Sequence, residues 1–254
     1  MGNTGSTLKE SNSNFNNKFN WILSYPMLEY PFYNIDNISN DNLKNYIDLR
    51  LECPPVINIG VIPIHPIASV VSVLNYQLVK NKLTIFPPSK LFIYNNCKYF
   101  ENISGILSFE VIFKAIEKYG FCSEIDYMYH TENISNLPSP HHYTSAEPYK
   151  FIEIFRVKND LNTLKIILNE KQPILIGFVL YLDLFKIVDK IWLPDFDNDK
   201  RIGGCTAVIV GYNNDSECFF LKLAYGTEFG NSGYITIPYE YITNCDLTPE
   251  LYYI

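Results

Sequence analysis

The sequence predicts an α+β fold in two lobes, with helices in the first half of the chain and strands in the second. Three observations carry that expectation. Apolar residues recur at helical spacing at Ile67, Val70, Val71, Leu74 and Leu78, and again over 108–119. Short apolar or alternating runs separated by turn residues fill the region after 149. Between them, residues 137–148 carry three prolines and two histidines and read as a connector. Of the 254 residues, 47% are apolar, enough to bury a sizeable core, so a generally disordered chain is excluded.

Taken in order, residues 1–18 are rich in Asn, Ser, Gly and Lys and read as a flexible tail. Phe19-Asn20-Trp21-Ile22-Leu23 is aromatic and apolar and begins a strap, 19–55, that packs on the body. Within it, 46–51 alternates as a short strand, stopped by Cys53-Pro54-Pro55. A helical lobe is expected over about 56–142. Its first helix runs from Pro66 to Lys80, where proline's missing N–H falls in the first turn and leaves no bond unmade. Its second covers 108–119, with Gly120 as a left-handed cap. A β-rich lobe follows over about 143–254, and 149–157 reads as its first strand. Asp160 caps a helix running to Lys171, with Leu161, Leu164, Ile167 and Leu168 on one face. Strands are expected at 173–181, 205–212, 218–224 and 234–238, with Asn213-Asn214-Asp215 as a hairpin turn.

Charge and composition exclude several functions. Twenty Lys+Arg against 27 Asp+Glu leave a net charge of −7, and no basic stripe offers a footprint for a phosphate backbone, so nucleic-acid binding is not expected. No apolar run reaches the 18 or so residues of a membrane span, and residues 1–10 lack the apolar core of a secretory signal. A cytoplasmic location with reduced cysteines is the expectation. Six cysteines without a CxxC pair and four histidines without ligand spacing predict no metal site, and nothing calls for a cofactor. Asp195, Asp197 and Asp199 alternate as in a calcium loop but lack the glycine and distal glutamate of an EF-hand, and read as a solvated acidic turn. His141-His142 reads as a solvated pair, Cys97, Cys122, Cys218 and Cys245 as buried thiols, and the Asn-Ile-Ser triplets at 37, 102 and 133 carry no function. Met1-Gly2-Asn3-Thr4-Gly5-Ser6 fits the N-myristoylation pattern at Gly2. One such chain anchors only weakly, so stable membrane association would need a second signal such as a protein partner.

Two separated segments resemble the papain family of cysteine peptidases. Cys53-Pro54-Pro55-Val56-Ile57-Asn58-Ile59-Gly60 and the residues through Ser69 are similar to the family stretch P-V-x-x-Q-G-x-x-G-S-C-W/T-A. Gly203-Gly204-Cys205-Thr206-Ala207-Val208-Ile209-Val210-Gly211-Tyr212 is similar to G-G-H-A-V-x-x-V-G-Y. Lys222-Leu223-Ala224-Tyr225-Gly226-Thr227-Glu228-Phe229-Gly230-Asn231-Ser232-Gly233-Tyr234 is similar to K-N-S-W-G-x-x-W-G-x-x-G-Y. Pieces at 87–94, 119–124 and 237–241 agree in order and resemble the short-prosegment branch found in large DNA viruses and bacteria. The likeness spans about 19–254 and implies the papain-like two-lobed fold, a helical lobe and a β-barrel-like lobe with a cleft between them.

The same resemblance places His65 at the nucleophile, Cys205 at the general base, Leu223 at the asparagine that orients the base, and Ile59 at the oxyanion-hole glutamine. None of the four roles is filled as the family fills it. A papain-type site needs a thiolate at a helix N-terminus and an amide donor aimed at the oxyanion. Ile59 cannot donate, and Leu223 cannot hold an imidazole. The expectation is an inactive papain-like protein that binds a peptide or protein partner, in the interlobe cleft or at its surface. One alternative is an active peptidase with a rearranged dyad, Cys205 attacking and His65 as base. Another is a structural virion component. The apolar lining Ile59, Val61, Ile62, Ile64 and Leu223 separates them: an open cleft favours binding, and a cleft filled by these side chains favours the structural role.

Overall fold

The helix that opens the helical half is buried on nearly every side, and its sequence shows why. His65–Lys80 (α1) carries small Ala68, Ser69 and Ser72 among Ile67, Val70, Val71, Val73 and Leu74, so no broad polar face remains for solvent. Pro66 sits in its first turn, as the sequence suggests. The computed structural model describes residues 21–24, 30–36, 38, 43–60, 62, 64–83, 86–100, 107–130, 132, 134–150, 152–187 and 190–254. The expected tail, with Gly2, and the three Asn-Ile-Ser asparagines lie outside the described residues.

The strands are Tyr46–Asp48 (β1), Phe155–Arg156 (β2), Ile174–Tyr181 (β3), Arg201–Asn213 (β4), Cys218–Lys222 (β5), Tyr234–Pro238 (β6) and Glu250–Tyr253 (β7). They form one antiparallel sheet in the order β2-β7-β3-β4-β5-β6, with β1 also paired to β4. β4 organises the sheet. Its residues 201–209 pair with β3, which sets Cys205 opposite Phe178 and Thr206 opposite Gly177, while β5 pairs along its second half. Asn214 lies in the turn between β4 and β5, where the hairpin is expected.

Four more helices of two to three turns follow: Lys90–Cys97 (α2), Phe109–Tyr119 (α3), Pro140–Ala146 (α4) and Leu161–Asn169 (α5); α2 packs on α1 and α3, and α5 on β3 and β4. A single turn, Tyr239–Ile242 (α6), follows β6. The caps are those the sequence offers. Ser108 Oγ accepts from Val111 N at 3.3 Å, and Asp160 Oδ1 accepts from Thr163 N at 2.9 Å. Gly120 ends α3 at φ +70°, and a Cβ there would overlap the carbonyl of Ala146, so the position demands glycine twice over.

The expectations fail at four places. The connector at 137–148 contains α4, because Ser139 and His142 form a capping box: Ser139 N donates to His142 Nδ1 at 3.0 Å, and Pro140 suits the first turn. His142 is therefore buried rather than solvated, with Nε2 directed to the Asp126 carbonyl at 3.3 Å. The strand expected over 149–157 shrinks to Phe155 and Arg156, since Tyr149 belongs to a 3-10 turn and four-residue β7 offers partners only to those two. Cys97, Cys122 and Cys218 are buried as expected, but Cys245 is exposed.

The strap lies where the first and second halves meet. Trp21 is buried, bridges to Leu107 just before α3, and packs against Phe109. Its ring lies in a notch of β3 and β4 that exists because Gly177 and Gly204 lack side chains; a Cβ on either would overlap the indole.

Candidate functional site

The segment carrying Ile59 is sewn to the segment carrying Leu223 by main-chain bonds. Ile59 N donates to Ala224 O at 3.3 Å, Gly226 N donates to Ile57 O at 3.1 Å, and Asn58 and Tyr225 form an antiparallel bridge. Asn58 Oδ1 accepts from Gly60 N at 2.9 Å, an Asx turn that lets Gly60 take φ +63°. Lys222, itself buried, fixes the start of this loop by donating Nζ to the carbonyls of Pro54 and Pro55. Burial lowers its ammonium to about 8. Beyond it, Gly233 packs so closely on Val56 that a Cβ would clash, and φ +89° there independently favours glycine.

His65 is the first residue of α1 and is buried. One turn further on, Ser69 Oγ meets Thr206 Oγ1 at 2.9 Å. This bond, between the residue four after His65 and the residue after Cys205, docks the start of α1 on the middle of β4. Successive strand residues alternate faces, so the side chain of Cys205 leaves the face that Thr206 presents to α1. Its Sγ lies 3.2 Å from Tyr225 Oη and 3.5 Å from the Thr206 carbonyl. Burial pushes the Cys205 thiol up to about 12, against the smaller opposing effects of those two hydrogen bonds. Tyr225 is enclosed by Phe185 and Phe229, with ring centroids 5.9 and 5.2 Å away.

The four family-equivalent positions are thus all present in one region of packing, and all are closed to solvent: Ile59 is 2% exposed, His65 1%, Cys205 0% and Leu223 2%. Ile64 is buried as well and Ile62 half-buried, while Val61 lies outside the described residues. Tyr225 is the functional candidate that reading by catalytic role passes over. Its signal was its place in the Lys222–Tyr234 pattern, where the family carries an aromatic residue two positions after the asparagine.

Elsewhere, Asp195 Oδ1 accepts from the main chain of Asp197 and Asn198, an internally bonded turn. Among the described residues, no group of three or more His, Cys, Asp or Glu side chains is placed to hold a metal ion. No helix there is long and apolar enough to cross a membrane.

A buried strand-borne residue preceded by Gly203-Gly204, a helix opening at His65 and a loop laid along 223–226 are the elements on which a papain-type site is built. The model of the papain family cysteine proteases matches residues 96–254, more than half of the sequence, and the chain belongs to that family. The match takes in Cys205 and Leu223 and leaves Ile59 and His65 outside it. An uncharacterized peptidase C1-like protein of Acanthamoeba polyphaga mimivirus is 27% identical over 192 residues, covering 70% of this chain and 62% of that protein. The chain therefore spans less than two thirds of that relative. Among solved structures, xylellain, a cysteine protease from Xylella fastidiosa, superposes with a TM-score of 0.84 at 26% identity, covering 94% of this chain and 96% of its own. A procathepsin B from Trypanosoma congolense has a TM-score of 0.78 at 14% identity, covering 95% and 87%, a likeness of fold. The expected papain-like α+β fold is the fold observed.

Proposed function

We propose that this chain is a non-catalytic member of the papain family that acts by binding a peptide or protein partner at its surface instead of cutting it. One observation carries the loss of catalysis: Ile59, His65, Cys205 and Leu223 are each 2% exposed or less, so a substrate carbonyl has no access to them, and a partner would have to be bound at the surface instead. The residue types support it independently. An isoleucine offers no side-chain donor to an oxyanion, and a leucine gives an imidazole no acceptor.

The rearranged peptidase, with Cys205 attacking and His65 as base, is disfavoured by the thiol itself. A nucleophilic cysteine needs a lowered pKa in an electropositive, partly exposed setting, and Cys205 has a raised one in a closed setting against Tyr225. The burial of Ile59, Ile64 and Leu223 also favours a second reading, a structural component such as a virion protein, in which these side chains serve only packing. Under either reading, myristoylation at Gly2 would add weak membrane association that a partner makes stable.

Activity measurements on the purified full chain test the reading. Peptide substrates should not turn over above background, and epoxide inhibitors of papain-like enzymes should leave the protein unlabelled. Turnover that disappears in Cys205→Ala would establish the rearranged dyad and overturn the proposal.

A further inference from the structure

A buried acid lies under the strap. Glu250, at the start of β7, is 0% exposed and pairs in register with Gly177 of β3, the glycine whose missing side chain admits the Trp21 ring. Its Oε1 accepts from the Ser24 amide at 3.3 Å and from the Tyr252 hydroxyl at 3.0 Å. Its Oε2 has no hydrogen-bond partner among the described residues. Trp21 Nε1 makes no hydrogen bond of good geometry among the described residues, yet the indole N–H lies close enough to act on the Glu250 carboxyl group as a donor, opposing the effect of burial. Ser24 in turn accepts through Oγ from the Glu110 amide at 3.2 Å, which ties the strap to the first turn of α3. Residues 21–24 thus join β3, β4, β7 and α3 through one indole, one serine and one carboxyl group.

A fully buried carboxylate is costly because its charge is taken out of water, and the neutral acid in the same place costs much less. We propose that Glu250 is the latch of a pH-sensitive strap: the neutral acid holds residues 21–24 in the notch over Gly177 and Gly204, and its ionisation releases them. Gly204 shares a face of β4 with Thr206, so release uncovers that face, opposite the Cys205 side chain. The outer side of the strap is already open. A pocket of about 580 Å³ bordered by Trp21, Ile22, Leu23, Arg201 and Asp246 lies against it, so the strap can lift without crossing the core.

Burial raises the Glu250 carboxyl from the usual 4.5 to about 7, while Ser24, Tyr252 and the Trp21 indole act in the opposite, smaller sense. The charged and titratable groups facing this cluster are few. Tyr252 is on the same strand, with its own ionisation pushed far up by burial, and Arg156 of β2 acts on Tyr252 from the neighbouring strand. Glu110 on α3 is ion-paired to Lys114. β3 contributes Gly177, which carries no charge. The direction follows from the raised value. Closure is strongest below about pH 4.5, where Glu250 is neutral whether the strap is open or closed, and weakens as pH rises from there through about 7. At roughly tenfold per unit, the closing constant falls by more than a hundredfold across that range. The inference does not depend on whether the family-equivalent positions carry out chemistry.

Hydrogen exchange on the full chain tests it, read at the Ser24 amide and corrected for the intrinsic pH dependence of exchange. Wild type should lose protection there by at least tenfold between about pH 5 and about pH 8, while Glu250→Gln, isosteric and non-titrating, keeps the same protection throughout. Gly177→Ala, whose methyl group displaces the indole, should lack protection at every pH. Carboxyl NMR of Glu250 in wild type supplies a measurement that needs no variant, and its titration should coincide with loss of Ser24 protection. Three results would each overturn the latch: wild-type protection that does not change with pH, the same loss in Glu250→Gln, or titration of Glu250 near 4.5 with the strap still closed.

Discussion

The Tyr225 hydroxyl lies 3.2 Å from the sulfur of Cys205, so the residue that the sequence resemblance places at the general base is engaged by a phenol. Cys205 is fully buried and Tyr225 partly so, and burial raises both above their ordinary ionisation ranges. Because a thiolate is the reacting species, a thiol raised to about 12 should be inert near neutrality. In native protein treated with iodoacetamide at about pH 8, Cys245, which is exposed, should alkylate first, and Cys205 should stay at least about a hundredfold slower. Peptide mapping by mass reads both sites at once, and comparable rates would show that the closed arrangement around Cys205 is wrong.

The Ser69–Thr206 bond is the contact that fixes α1 on β4, and it is fully buried. Removing one hydroxyl leaves the other unsatisfied, so Ser69→Ala or Thr206→Val alone should cost about 1–3 kcal/mol of stability. The double variant should cost less than the sum, with a coupling of roughly 0.5–1.5 kcal/mol in a denaturation cycle. Strict additivity would mean that the two hydroxyls do not interact in solution.

How far the sequence led is visible residue by residue. α1, α3 and α5 were legible because each combines a 3.6-residue apolar period with a stop or start signal at Pro66, Ser108, Gly120 or Asp160. α4 was hidden by its prolines, which read as loop punctuation although Pro140 occupies the one helical turn that tolerates proline. β7 went unread because Glu250 breaks its apolar pattern, and only the fold shows that this acid points inward beneath Trp21. Motif order alone assigns Ile59, His65, Cys205 and Leu223 to the four family positions. Their closure to solvent was not legible in that order, since it depends on how the loops at 57–59 and 223–226 pair across a long stretch of chain.

Gly2 carries a separate expectation, resting on the pattern Met1-Gly2-Asn3-Thr4-Gly5-Ser6. Expressed in eukaryotic cells, the full chain should gain about 210 Da at its N-terminus, the mass of one myristoyl group, and lose it in Gly2→Ala. Membrane fractionation should follow the mass but remain weak, because one chain binds marginally. An intact mass matching a free or acetylated N-terminus would remove the lipid from the account.

Lys222 gives the most direct test of the packing that closes the site. It is 2% exposed, and its Nζ donates to the carbonyls of Pro54 and Pro55, so it holds the loop leading to Ile59 against β5. Lys222→Met keeps the length of the stem but leaves two carbonyls without their donor, at an expected cost of about 1–3 kcal/mol. The pH dependence separates this from a simple packing defect. Burial lowers the ammonium from 10.5 to about 8, with a smaller opposing effect from nearby Cys53, so the folded state resists carrying the charge. Below about pH 8 the lysine is charged in both folded and unfolded chains, and the fold bears the full cost of burying it. As pH rises from 8 towards 10.5 the folded lysine gives up its proton first, and that cost is relieved. Wild type should therefore gain about 2 kcal/mol relative to Lys222→Met between about pH 7 and about pH 9.5, measured by urea denaturation at each pH. A constant difference across the range would mean that Lys222 titrates normally, reaches solvent, and does not pin the loop at Pro54 and Pro55.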